Sequence, residues 1–176
     1  MSARPRCSVF IATSLDGFIA RADGGLDWLA LVEAPGEDYG YGAFVSSVDA
    51  LVMGHNTYAT ALAFDAWPYG GKRVIVLSRD ATPSRHGEEH TAEAPVALCA
   101  RLAAEGVEHV YVDGGATIRR FLDAGLIDDL TISLVPIVLG TGIPLFGGIG
   151  EHRLTLIETR GFPSGLVQVR YRTRAA

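Results

Sequence analysis

The chain has 176 residues, 48% of them apolar and 20% charged, with 20 acidic against 15 basic residues and a net charge of -5. One domain spanning residues 1–176 is the expectation for this length, with a substantial core. The acidic balance, with no basic stripe, argues against a nucleic-acid surface. Two cysteines, Cys7 and Cys99, each inside an apolar run, read as buried reduced thiols of a cytoplasmic protein. The apolar run after the basic start Met1–Arg6 ends by Ala12, too short for a secretory signal, and no run approaches a membrane span.

In chain order, Cys7 to Ala12 reads as a buried strand leading into the turn at Asp16-Gly17. Asp23-Gly24-Gly25 is a second turn, and a glycine-rich loop from Pro35 to Tyr41 precedes a helix ending near Ser47. Ala50 to Gly54 is a strand closing on glycine, and His55-Asn56-Thr57 opens a helix through Leu62. Arg73 to Arg79 is a β-branched strand ending in a hydroxyl and a guanidinium. Asp80 to Glu93 is a polar surface loop with room for a short strand, and Val96 to Glu105 is an amphipathic helix. Ile127 to Leu139 is β-like, interrupted by Pro136 at a bend or edge. Gly140 to Pro144 is a loop, and Leu154–Thr159 with Val167–Thr173 forms an antiparallel hairpin.

The stretch that organises the rest is Val110-Tyr111-Val112-Asp113-Gly114-Gly115-Ala116-Thr117, a strand, a glycine pair and a helix expected from Thr117 to Ala124. The glycines leave no Cβ between backbone and ligand. The helix start offers free N–H groups to a phosphate, with Thr117 as cap and hydroxyl donor. As a lone motif this is a common strand-to-helix turn. However, Ala12, Gly54, Ser78-Arg79 and Gly114-Gly115 all fall at predicted strand ends. Alternating strands and helices imply a mostly parallel sheet, and ligands of such sheets sit at the carboxyl ends of the strands. A guanidinium such as that of Arg79 can grip a phosphate bidentately.

Five motifs in order, Ser14-Leu15-Asp16-Gly17-Phe18-Ile19-Ala20, Met53-Gly54-His55-Asn56-Thr57-Tyr58, Val76-Leu77-Ser78-Arg79, Asp113-Gly114-Gly115-Ala116 and Pro136 to Phe146, resemble the dihydrofolate-reductase-like superfamily. Within it the chain is similar to stand-alone relatives of the C-terminal reductase domain of the bifunctional riboflavin-biosynthesis deaminase-reductase. The resemblance implies an α/β fold with a mixed, mostly parallel central sheet flanked by helices and a C-terminal antiparallel hairpin. It also implies NADPH as cofactor, a small-molecule substrate and a homodimer. Carried over by position, Gly54 and Thr57 resemble the junction that holds the cofactor phosphates, and Gly114, Gly115, Ala116 and Thr117 the pyrophosphate loop. Ser78 and Arg79 resemble the pair beside the 2′-phosphate, and Ala12 with Ile19 the wall facing the nicotinamide. His55 stands where many relatives carry arginine, which makes its help with the 2′-phosphate conditional on protonation.

Folate reductases place one carboxylate in the helix before the Met-Gly strand, and by that resemblance the catalytic proton donor is Asp38. In an apolar pocket its pKa would rise toward that use; as a helix-capping acid it would not. Asp16 is the second candidate, although a turn-forming Asp is the commoner role. Tyr39 and Trp28 are placed to stack on a heterocycle or to fill core. No metal site is expected: His86-Gly87-Glu88 matches the His-x-Glu of zinc deaminases, but the required Pro-Cys-x-x-Cys is missing. The expectation is an NADPH-dependent oxidoreductase of a small nitrogen heterocycle, like 5-amino-6-(5-phosphoribosylamino)uracil reductase. A dihydrofolate or pterin reductase and a non-catalytic NADPH-binding protein are the alternatives. Lys72, Arg21 and Arg153 are the cations available to a phosphorylated substrate.

Overall fold

The computed structural model describes residues 4–80 and 83–173. Ten strands are present among them: β1 (Arg6–Ser14), β2 (Phe18–Ala20), β3 (Ala50–Gly54), β4 (Arg73–Leu77), β5 (Glu89–Thr91), β6 (His109–Asp113), β7 (Asp129–Val135), β8 (Ile143–Pro144), β9 (Leu154–Gly161) and β10 (Val167–Thr173). Four α-helices, α1 (Tyr41–Ser46), α2 (His55–Leu62), α3 (Pro95–Ala104) and α4 (Gly115–Asp123), join a 3-10 helix at Asp27–Val32. Eight strands form one sheet in the order β5-β4-β3-β6-β1-β7-β10-β9, and β2 with β8 forms a small second sheet. The large sheet is parallel from β5 to β7, and β10 and β9 complete it antiparallel. The expected fold class is therefore the observed one.

The β-branched runs are strands because they are covered on both faces. One face packs Cys7 and Val9 of β1, Val52, Ile75 and Val110 against Leu98 and Leu102 of α3 and Ile118 and Phe121 of α4. The other packs Leu51, Met53, Val74, Val76 and Tyr111 against Tyr58 and Ala61 of α2. A third cluster gathers Trp28, Val32, Val135, Phe162 and Leu166 under the 3-10 helix, so Trp28 is core. Cys7 and Cys99, both buried, bring their sulfurs within 3.9 Å between β1 and α3.

Three boundaries differ from expectation. Helix α4 begins at Gly115, two residues before Thr117, because Gly114 turns the chain at φ +92° and the helix starts at once. Strand β4 stops at Leu77, leaving Ser78 and Arg79 just beyond the sheet. Strand β7 stops at Val135, since Pro136 has no N–H for a ladder lying between β1 and β10.

A Cβ on Gly114 would lie 2.3 Å from the Thr57 hydroxyl oxygen, whereas one on Gly106, also at positive φ (+82°), would meet nothing within 4 Å. Gly106→Ala is thus expected to cost about 1–2 kcal/mol from backbone conformation. Gly114→Ala adds a further clash of about 1–3 kcal/mol. Urea unfolding of the two variants measures the difference; equal losses would show that the corner has room to relax.

Candidate active site

Strands β3 and β6 are parallel neighbours, with Met53 level with Asp113, so the corners that follow them lie side by side. Each corner ends in glycine and starts a helix: Gly54 before α2, Gly114 before α4. Neither helix has a side-chain cap, so the first N–H groups of both are left to whatever sits in front of them. The corners interlock. Thr57 from α2 lies against Gly114, and a Cβ on Gly54 would come 3.0 Å from the Thr117 hydroxyl oxygen of α4. Thr117 is therefore a buried residue of the first turn and not the helix cap the sequence suggested. Gly115 faces the Ile19 side chain, 2.9 Å from where a Cβ would stand, and the carbonyl of Pro144. Arg119 donates to the carbonyls of Pro144 and Leu145, tying the β8 segment to α4.

The structure thus brings Ile19, Gly54, Thr57, Gly114, Gly115 and Thr117 together. Ala116 is exposed on the first turn of α4, and His55 on that of α2. Ser78 and Arg79 follow β4, whose Leu77 is level with Gly54. The Ser78 N–H is fixed on the Thr91 carbonyl, and the Arg79 side chain is exposed. Ala12 lines the floor of a neighbouring cavity.

That cavity, of about 790 Å³, lies on the α2 side of the sheet. Its floor is Phe10 and Ala12 of β1, Tyr111 and Asp113 of β6 and Ser133 of β7, and its outer wall is Leu29, Val32, the loop Glu33–Tyr39 and Tyr41. Tyr39 is held in place by its hydroxyl, which donates to the Val32 carbonyl and accepts from the Ser164 hydroxyl. Gln168 of β10 donates to the Tyr39 carbonyl and to Ser133, fixing the loop to the sheet.

Asp38 lines this cavity, in the helix-capping state that is the second of the two readings open to it. Its carboxylate accepts the N–H groups of Gly40 (2.9 Å) and Gly42 (3.0 Å), and these lower its pKa. It serves the start of α1 as an ionised acid, which is a poor proton donor. Asp16 takes the structural role that its turn suggested: bonds from the Ser14 hydroxyl and the N–H groups of Leu139 and Gly140 lower its pKa and staple the two loops together. Glu88 of the His86-Gly87-Glu88 motif is buried. Burial works to raise its pKa, but bonds from the Tyr58 hydroxyl and the Arg85 and His86 N–H groups hold it at about 2. His86 stacks on Trp67.

The acid with donor character is Asp113, which sequence reasoning passed over although it opens the glycine motif. It shares a sheet face with Tyr111 and lies open to the cavity, otherwise enclosed by protein. Burial raises its pKa to about 6, against the opposing bonds from the Gly114 N–H (2.8 Å) and the Tyr69 hydroxyl (3.5 Å) and the nearby Tyr111 hydroxyl, which itself donates to the Phe10 carbonyl (3.0 Å). Its charge, together with burial, in turn raises Tyr41 to about 12. The signal was the strand's alternation, which puts residues 111 and 113 on one face at the carboxyl end.

The family model of the RibD C-terminal domain matches residues 5–168. A crystal structure from Shewanella sp. PV-4, of a protein provisionally assigned to riboflavin biosynthesis, superposes with a TM-score of 0.91 at 41% identity, covering 97% of this chain and 99% of that one. The uncharacterized protein YwjB of Bacillus subtilis (strain 168) is 36% identical over 169 residues, covering 93% of this chain and 95% of that protein. The diaminohydroxyphosphoribosylaminopyrimidine deaminase/5-amino-6-(5-phosphoribosylamino)uracil reductase of Thermotoga maritima shares the fold, with a TM-score of 0.76 at 16% identity over 97% of this chain and 57% of that one.

The raised pKa of Asp113 has a stability consequence. Between roughly pH 4 and 6 the native protein keeps this proton while the unfolded chain has released it, so its contribution to stability falls as pH rises through that window. The interval from the ordinary 3.8 to about 6 is worth roughly 3 kcal/mol. Denaturant unfolding across this range should show Asp113→Asn lacking that decline; an unchanged slope would contradict the assignment.

Proposed function

Because the chain belongs to the RibD C-terminal domain family, we propose that it is an NADPH-dependent oxidoreductase that reduces a small nitrogen heterocycle. The closest model for the reaction is that of 5-amino-6-(5-phosphoribosylamino)uracil reductase, the activity named in the Thermotoga maritima relative. The observation that carries the reading is one of position. A cavity with a protonatable carboxyl opens where β6 passes into the interlocked glycine corners.

The residues fit a dinucleotide. Two uncapped helix starts side by side suit a diphosphate. Ser78, Arg79 and His55 lie around the adjoining strand and helix ends, where a 2′-phosphate would find a hydroxyl, a guanidinium and an imidazole. Ala12 and Ile19 supply the apolar wall for a nicotinamide. When bound, that cofactor supplies a hydride, two electrons and one proton, to the electrophilic carbon of a C=N bond. Asp113 then gives its proton to the nitrogen, the C=N bond becomes CH–NH, and solvent reprotonates the carboxylate. Tyr41 and Tyr111 line the cavity beside Asp113 and the Tyr69 hydroxyl reaches its carboxyl, and burial among them holds its pKa near use. We also propose a cytoplasmic homodimer, the cytoplasm in keeping with its two free, buried cysteines.

The test is oxidation of NADPH in the presence of 5-amino-6-(5-phosphoribosylamino)uracil and related pyrimidine and pterin acceptors. Turnover should fall as pH rises through about 6, as the donor loses its proton. Asp113→Asn should lower kcat by about 10²–10⁴-fold and flatten the profile. An Asp113→Asn enzyme with wild-type kcat removes Asp113 from the reaction. Nucleotide binding without oxidation across the whole acceptor panel favours a non-catalytic binder.

A further inference from the structure

The charges around the cavity carry a statement about its substrate. Three exposed carboxylates stand at its mouth, Glu33, Glu37 and Asp38, and the carboxyl of Asp113 lies on the floor. None of its lining side chains is a lysine, arginine or histidine. Several acids elsewhere in the protein are matched by cations, although others, such as Asp16 and Asp49, are met only by N–H or hydroxyl groups. Asp27 pairs with Arg21 (2.6 Å), Glu89 with Arg73 (2.6 Å) and Arg101 (3.2 Å), Asp128 with Arg4 (2.8 Å) and Asp129 with Arg6 (2.7 Å). Among the described residues none of the four cavity acids has such a pair; Asp38 and Glu37 are met only by backbone N–H groups.

The cations a phosphorylated substrate would need are engaged elsewhere. Lys72 donates to the Val48 carbonyl, Arg21 is bound by Asp27, and Arg153 lies on Glu151. A second recess, of about 280 Å³, adjoins the cavity through Phe10 and Tyr39 and contains Arg6, Arg160 and Arg170. There Arg6 and Arg170 face Asp129, at 2.7 and 3.9 Å, and Arg160 lies over the Phe162 ring, 4.5 Å from its centre.

We propose that the acceptor is a neutral or cationic heterocycle without a phosphate or carboxylate group, and that the uncompensated carboxylates of the cavity reject anionic analogues. The proposal rests on the reductase reading and narrows it: the ring chemistry is kept, and the phosphate of the model reaction is dispensed with. Like charges set against a ligand in a partly enclosed site act as a specificity device by repulsion.

The experiment compares kcat/KM for 5-amino-6-(ribosylamino)uracil and for its 5′-phosphate, with NADPH held saturating. The unphosphorylated acceptor should be favoured by roughly ten- to hundredfold, through KM. Added salt should shrink the gap, because the mouth carboxylates are solvent-exposed. Glu33→Gln/Glu37→Gln should narrow it by lowering KM for the phosphorylated form. A preference for the phosphorylated acceptor that disappears in Arg160→Ala/Arg170→Ala would place the phosphate in the second recess. That outcome overturns this inference while leaving the reductase reading in place. Failure of both acceptors to oxidise NADPH overturns the reductase reading, and this inference with it.

Discussion

The mutual fit of two strand-to-helix corners is the constraint on which the site depends. Gly54 and Gly114 end adjacent parallel strands, and each has a threonine of the other corner where a side chain would stand. This reciprocal packing fixes the spacing of two helix starts whose N–H groups have no cap. It also sets the end of β6, and with it the place of Asp113 on the floor of the cavity. A corner that could relax would loosen the anion-facing end and the proton-donating end together.

The molecule divides its electrostatics between these two ends. The corners present helix dipoles and backbone donors, with Arg79 and His55 exposed nearby, and so offer positive potential without a basic surface. The cavity beside them is walled by tyrosines and carboxylates. A net charge of -5 is compatible with holding a polyanionic cofactor because the attraction is local. In the proposed reading, the same acidity that does no harm at the corners acts as a filter at the cavity mouth.

Much of the architecture could be read from local pattern. The strand Ala50–Gly54, the helix His55–Leu62 and the hairpin of β9 and β10 fall where apolar runs and glycines put them. The glycine corners were legible for the same reason, since the pattern of a strand ending in glycine before a polar helix start recurs at predicted strand ends. The proposed proton donor was not. Asp38 and Asp113 are both single acids near predicted element ends, and the sequence carries no record of how many backbone N–H groups each will meet. Asp38 lies at the head of α1 and receives two, which keeps it ionised; Asp113 lies under Tyr41, Tyr69 and Tyr111, and burial dominates. Tyr69 comes from 44 residues away in the chain, so that environment exists only after the sheet has formed. The start of α4 was misjudged for a related reason: Thr117 has the chemistry of a cap, but Gly114 turns the chain first, and the threonine is used for packing.

The most direct test of this account is an equilibrium titration with NADPH and with NADH, followed by nucleotide fluorescence, in the wild-type protein and in Arg79→Ala. The account predicts that NADPH binds more tightly than NADH and that the variant loses the difference, with NADH binding left nearly as it was. Binding of neither nucleotide would contradict it, reducing the paired glycine corners to a packing solution with no ligand in front of them.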